Sequence, residues 1–186
     1  MDLTPKAPAI LLYGQDYGLI SERSSLIINS FFSNINGGIN SLNIIDFSAA
    51  SIISNPEDLE IQASSISLLN TKKIIRIKDA ADSSYKALED YLLKPHQDCL
   101  VIALSENLSP RSKLRKLFEG HNEAIVLPCY SDEQKNILNL IESSLKAEGI
   151  NIDEEGKRLF ANYLGIDRLI TKAEIEKAIL YAGKLK

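Results

Sequence analysis

Asn55 to Asp79 reads NPEDLEIQASSISLLNTKKIIRIKD, a stretch that passes from a helical pattern into a strand pattern across one short turn. Asn55 suits a helix cap and Pro56 the first helical position, while Glu57 and Asp58 fall where the positive end of the helix dipole favours carboxylates. The spacing predicts a helix starting here. At about 100° per residue Leu59, Ala63 and Ile66 share one face, and Ile61 and Leu68 lie roughly opposite. One stripe can be buried while the other faces out. Lys73-Ile74-Ile75-Arg76-Ile77-Lys78 then supplies the β-branched run of a strand. The apolar pair Leu68-Leu69 sits at the tip of the turn between them. It either folds back as the hydrophobic end of the helix or stands as an anchor for a partner's pocket.

On either side of this stretch the same alternation recurs. Ala9-Ile10-Leu11-Leu12-Tyr13, closed by Gly14, and Cys99 to Leu104 are continuous apolar runs, as strands buried on both faces of a parallel sheet require. Ser41 to Phe47 and Ala124 to Leu127 are shorter strand patterns. Leu19, Arg23, Leu26, Ile27, Ser30 and Phe31 recur at helical spacing, and Asn34 to Gly38 breaks the pattern. A further helix begins at Ser83 or Ser84, carries Tyr85, Leu88 and Leu92, and is ended by Pro95. Ser109-Pro110 reads as the start of another, with Leu114, Leu117 and Phe118 buried and Gly120 at its end. Five strands alternating with helices predict right-handed βαβ units, a mostly parallel sheet with helices on both faces, and so a three-layer α/β domain.

After Pro128 no strand pattern appears. Ser131 reads as the cap of a helix with Ile137, Leu138, Ile141 and Leu145 on its apolar side, ending at Gly149. Asp153 caps a second, with Leu159, Phe160 and Tyr163 as its apolar residues and Gly165 as its end. Thr171 to Glu174 matches a capping box and opens a third, with Ile175, Ala178, Ile179 and Ala182 on one side. The expected organisation is an α/β domain over 1–128 and a three-helix unit over 129–186.

Of the 186 residues 45% are hydrophobic and 25% charged, the composition of a globular chain. A formal net charge of -4 argues against nucleic acid as the partner of the whole surface. No apolar run reaches the length of a membrane span, and MDLTPKAP lacks the basic-then-apolar pattern of a signal peptide, so the expectation is a soluble, cytoplasmic protein. Cys99 and Cys129 read as reduced core residues, and with only His96 and His121 to join them no metal-ligand spacing appears.

A parallel sheet whose first strand ends in glycine invites comparison with the phosphate-binding loop G-x-x-x-x-G-K-[ST]. Gly14-Gln15-Asp16-Tyr17-Gly18-Leu19-Ile20-Ser21 stands in that place, with Leu19 for the second glycine and Ile20 for the lysine. Gly14, Gly18 and Ser21 are what remains of a degenerate loop, and Asp16 within it would repel phosphate. The strand ending Leu104-Ser105-Glu106 carries serine where the magnesium-binding aspartate was sought. No nucleotide, metal or other cofactor is expected. Glu89-Asp90 and Glu154-Glu155 point apart on their helices and read as solvated faces rather than acid/base pairs. Arg111, Lys113, Arg115 and Lys116 form the one dense basic cluster, either solvated or a contact for DNA or an acidic partner.

With LLYGQDYGLISER at 11–23, SLLNTKKIIRIKDA at 67–80, CLVIALSENLSPRSKLRKLFE at 99–119, LPCY at 127–130 and LGIDRLITKAEIEKAILYAG at 164–183, the chain resembles the delta subunits of bacterial DNA polymerase III clamp loaders. The resemblance implies an ATPase-like α/β domain that has lost hydrolysis, followed by a three-helix lid. It also implies a non-catalytic subunit of the DNA-directed DNA polymerase (nucleotidyltransferase) holoenzyme, which binds the sliding clamp (beta subunit) and opens it or traps it open for placement on primed DNA. The implied partners are the clamp, the other loader subunits and, through the complex, primed DNA, with no membrane. In the family a short apolar wedge after the helix preceding the third strand contacts the clamp, and Leu68 and Leu69 match it. Ile61, on the outward stripe, is the third candidate contact. Family members carry a further helical collar domain, and this stretch of sequence ends at Lys186 after the lid. A degenerate nucleotide hydrolase and a DNA-binding module using Arg111 to Lys116 are the alternatives.

Overall fold

The computed structural model describes residues 7–32, 43–65, 72–130, 134–164 and 168–183. The chain divides into two compact units, Met1–Cys129 and Tyr130–Lys186.

In the first unit β1 (Ala9–Tyr13), β2 (Ile44–Ser48), β3 (Lys73–Lys78), β4 (Cys99–Ser105) and β5 (Ile125–Pro128) form one sheet in the order β2-β3-β4-β1-β5. Every neighbouring pair is parallel. All five residues of β1 and all seven of β4 are buried, which is why these two read as unbroken apolar runs. β2 and β5 are edges and only half covered, and Pro128, with no N–H to give, sits at the end of an edge strand as expected.

Side chains alternate between the two faces of the sheet. Leu11, Ile75, Val101 and Ala103 pack against α2 (Ala49–Ser54), α3 (Glu57–Ser64), α4 (Tyr85–Leu93) and α5 (Lys113–Gly120) through Ile52, Leu59, Leu88 and Phe118. Ile10, Leu12, Ile74 and Ile102 pack against α1 (Tyr17–Phe32) through Ile20, Ile28, Phe31 and Phe32. The three-layer α/β architecture is therefore real: among the described residues four α-helices lie on one face and the long α1 on the other.

Several local expectations are corrected. A separate helix, α2, precedes Asn55; Ser48 caps it by accepting from the Ser51 amide. Asn55 makes no side-chain cap for α3, and its carbonyl instead accepts from Asp58 N at 3.1 Å. α5 starts at Lys113 rather than at Ser109-Pro110. Ser112 is its cap, and Asp82 reaches over to accept from Ser112 Oγ at 2.5 Å and from Leu114 N at 3.0 Å. These bonds hold the Asp82 carboxyl below the usual carboxylate range, Ser112 contributing most. The turn 34–38, Ser41, Ile66, Leu68, Leu69, Ser131 to Glu133 and Gly165 lie outside the described residues.

The second unit consists of α6 (Gln134–Ala147), α7 (Glu154–Tyr163) and α8 (Arg168–Gly183) around Ile137, Ile141, Leu145, Ala161, Leu164 and Ile175. α6 ends in a Schellman motif. Ile150 N donates to Leu145 O at 2.9 Å, Gly149 N donates to Lys146 O at 3.1 Å, and Gly149 adopts φ 68°, a conformation natural to glycine. Asp153 caps α7 as expected, accepting from Gly156 N at 2.7 Å. Of its apolar residues Leu159 and Tyr163 are exposed. The buried polar member of α7 is Lys157, which pairs with Glu142 at 2.8 Å and Glu154 at 2.7 Å. α8 opens at Arg168, so Thr171 is inside the helix and buried rather than at its cap.

Candidate functional site: a closed crevice and an outward helix edge

The carboxyl ends of β1, β4 and β5 meet at Gly14, the place where an open parallel sheet offers a ligand crevice. Here the chain fills it. Cys129 N donates to Tyr13 O at 2.6 Å, Asp16 N donates to Cys129 O at 3.3 Å, and Gly14 N donates to Ser105 O at 3.3 Å. A Cβ on Gly14 would lie 1.7 Å from the Cys129 carbonyl oxygen, so glycine is required by the close approach of the β5 backbone. Arg23 fastens the same corner from α1, donating to Pro128 O at 2.6 Å with Cys129 Sγ at 3.7 Å.

The first turn of α1 is occupied as well. Asp16, only 6% exposed, accepts from Leu19 N through Oδ1 at 2.9 Å and from Ile20 N through its carbonyl at 3.0 Å. Its Oδ2 is buried with no partner among the described residues. One of the free amides at the N-terminus of α1, that of Leu19, is thus taken by the Asp16 side chain, and a buried carboxyl group stands beside it. Gly18 is buried in the first turn, whereas Ser21 faces solvent on α1. The residues of the degenerate loop do not converge on a common ligand position. Beside them lies a cavity of about 110 Å³ bordered by Tyr17, Lys78, Asp79, Ser105 and Glu106. Pockets for drug-sized ligands run to roughly 300 Å³ and above, so this one is too small for a nucleotide. Sequence reading missed Asp79 and Glu106, whose only signal was a carboxylate directly after a strand. Ser105 itself donates to Ala80 O at 2.5 Å, which ties β4 to the loop after β3.

Both thiols are buried and free. Burial pushes Cys99 up to about 11 and raises Cys129 as well, so neither is a nucleophile at neutral pH. Glu89 and Asp90 both bind Lys86, at 3.1 and 2.8 Å, as a solvated helix face does. His96 Nε2 lies 3.0 Å from Glu60 Oε1, and His121 Nδ1 accepts from Glu123 N at 3.2 Å. Among the described residues no cluster of three metal-ligating side chains forms.

α3 presents a different surface. Leu59 and Ala63 are 1% and 3% exposed, while Ile61, one residue of the opposite stripe, is 55% exposed. Leu68 and Leu69 fall outside the described residues, so of the three candidate contacts the structure positions Ile61. Between α3 and α4 runs an open groove of about 450 Å³ lined by Leu59, Ala87, Tyr91 and Leu93 together with Glu57, Glu60 and Asp90. Lys73, the first residue of β3, is buried and donates to Gln62 O at 2.5 Å, to Ser65 Oγ at 2.9 Å and to Ser65 O.

The basic cluster splits. Arg111, Lys113 and Lys116 are exposed. Arg115 is turned inward: it pairs with Glu119 at 2.7 Å, donates to Leu108 O at 3.4 Å and stacks on the Tyr13 ring at 5.0 Å.

A family model described as DNA polymerase III, delta subunit matches residues 10–130. A curated relative, the probable DNA polymerase III subunit delta of Rickettsia prowazekii (strain Madrid E), is 25% identical over 177 residues, which is 95% of this chain and 51% of the relative. The chain thus spans about half the length of that protein. The Bacillus subtilis DNA clamp loader delta protein (YqeN) superposes with a TM-score of 0.63 at 18% identity, covering 95% of this chain and 54% of that one. A Thermotoga maritima RuvB variant superposes with a TM-score of 0.59 at 16% identity, covering 94% of this chain and 56% of the other. These two share the fold of the chain.

Proposed function

The chain belongs to the DNA polymerase III delta subunit family, and from that premise we propose that it acts in DNA replication as a non-hydrolysing clamp-loader subunit. It binds the sliding clamp through Leu68, Leu69 and Ile61 and holds the opened ring while loading onto primed DNA proceeds. The observation that carries this reading is the closed crevice. With the Asp16 amide given to Cys129 O, the Leu19 amide taken by the Asp16 side chain and the Cys129 carbonyl packed against Gly14, binding is the means of action of this ATPase-shaped domain. A protein without turnover can deform a partner only by binding the deformed state more tightly than the relaxed one. Differential affinity at the wedge then does the work, and ATP turnover belongs to sibling subunits.

The first unit serves as the ATPase-like domain and the second as the lid. Loader siblings, primed DNA held by the assembly and a cytoplasmic location come with the same reading; among the described residues no helix is long and apolar enough to cross a membrane. A hydrolase has against it the engaged amides and the buried Asp16. A DNA-binding module loses Arg115, whose guanidinium is committed to Glu119 and Tyr13.

The test is a titration of the full chain against its organism's sliding clamp. Replacing Leu68 and Leu69 with alanine is expected to cost about 2 kcal/mol or more of clamp affinity, as hot-spot anchors do, with the circular dichroism spectrum unchanged. Equal affinity in the double variant would overturn the assignment of the wedge.

A further inference from the structure

The groove between α3 and α4 has a lining of two kinds. Leu59, Ala87 and Tyr91 are buried, and the Tyr91 hydroxyl donates to Cys99 O at 2.8 Å, so this apolar part is fixed by the core. Leu93 belongs to the same lining and is 74% exposed, although Leu92 beside it is buried. A single exposed leucine is ordinary, but this one borders a groove of about 450 Å³, a volume within the range of ligand sites.

The charged part is one-sided. Glu57, Glu60 and Asp90 stand against the single ammonium of Lys94 among the described lining residues. Glu57 and Glu60 lie in the first turn of α3, where the helix dipole accounts for them. It does not account for Asp90, which sits in the last turn of α4, a turn without a basic residue and one where the dipole disfavours a carboxylate. Lys86 compensates from one turn away at 2.8 Å, but both side chains are more than half exposed, so the pair is screened and easily exchanged. A cleft lined by one sign of charge concentrates the opposite sign.

α3 and α4 have eight and nine residues, about 12 and 14 Å at 1.5 Å per residue. A groove of that length between two helices holds about two turns of a third, whose apolar side chains at i and i+4 fall about 6 Å apart along it. We propose that this groove is a docking site for a short basic amphipathic helix of a protein partner. Its apolar side chains lie over Leu59, Tyr91 and Leu93, and its lysines or arginines face Glu57, Glu60 and Asp90. Charge complementarity selects this occupant, because an acidic helix or a phosphate-bearing ligand would meet three like charges. The inference goes beyond the clamp reading and stands without it.

The probe is a labelled peptide of about four helical turns, with leucines at i, i+4 and i+7 and lysines between them, titrated by fluorescence anisotropy into the full chain. Two control peptides carry glutamate in place of lysine, or the same residues in scrambled order. The lysine peptide is expected to bind saturably and at least about tenfold more tightly than either control. Glu57→Lys/Asp90→Lys is expected to weaken its binding about tenfold and to take the glutamate peptide instead. Glu148→Lys/Glu155→Lys, the same charge change at exposed residues outside the lining, leaves the affinity unchanged. Leu93→Ala should weaken binding about fivefold with the circular dichroism spectrum unchanged, since so exposed a side chain carries little of the fold. The proposal is overturned if the lysine peptide shows no saturable binding or if the scrambled peptide binds as tightly. It is equally overturned if the control pair weakens binding as much as the groove pair, or if Leu93→Ala has no effect. No clamp is present in this assay, so each of these results leaves the clamp contact to its own test.

Discussion

The crevice beside Gly14 and the edge of α3 spend their polar groups in opposite ways. At the crevice, backbone groups satisfy one another: Cys129 N donates to Tyr13 O, Asp16 N to Cys129 O and Gly14 N to Ser105 O. At the α3 edge, orphan carbonyls are satisfied by one ammonium reaching from the sheet, and the outward face of the helix is left to Ile61. The same architecture therefore closes its inherited ligand place and braces a surface instead. In the function proposed above, the contact surface lies beside α3 rather than at the strand ends where an α/β sheet usually carries its site.

The sharpest way to break the comparison is Gly14→Ala. A methyl group 1.7 Å from a backbone oxygen cannot be accommodated by a side-chain rotation, so the β5 end must move. A loss of about 3 kcal/mol in stability is expected from urea unfolding, at the upper end of overpacking costs. A loss below about 0.5 kcal/mol, the range of ordinary surface changes, would mean that the crevice opens easily and is not closed in the sense argued here.

A smaller effect tests the strand that carries Lys73. Asp46 of β2 pairs with Arg76 of β3 through both oxygens, each bond 2.7 Å, and with Lys78 at 2.9 Å. The hydrogen bond from Arg76 lowers the Asp46 carboxyl to about 2. A depressed carboxylate stabilises the fold above its unfolded value, near 4, and loses that contribution as pH falls toward about 2. Because the side chain is 37% exposed, screening limits the contribution to about 1 kcal/mol. The stability difference between wild type and Asp46→Asn should accordingly shrink between pH 5 and pH 2. A difference independent of pH would show that the ion pair does not anchor β3.

What could be read from the residues alone follows from where partners lie in the chain. β1 and β4 are self-announcing, because burial on both faces demands unbroken apolar runs. The division of α3 into a buried Leu59–Ala63 face and an outward Ile61 follows from periodicity in the same way. The misplacements share one cause, a distant partner. Ser109-Pro110 looks like a helix start, but Asp82 supplies the acceptor that fixes the start at Ser112 instead. Leu159 and Tyr163 are apolar at helical spacing, but α7 packs through Ala161 and Leu164 against Ile137 and Ile141, with Lys157 paired to Glu142 of α6, and this leaves Leu159 and Tyr163 facing outward. α2 escaped notice because it is six residues long with Ala49 and Ile52 as its buried members. At the site, the degenerate loop was legible as missing residues. Its closure by Cys129 was not, since nothing local marks Gly14 as the neighbour of a residue so far along the chain.

Calorimetry of the full chain with its sliding clamp, first without nucleotide and then with ATP and magnesium, tests the central claim most directly. Saturable binding in the absence of nucleotide, with the same affinity and no added heat when ATP is present, is the predicted result. Binding that appears only with ATP, or ATP turnover by the chain alone, would contradict it.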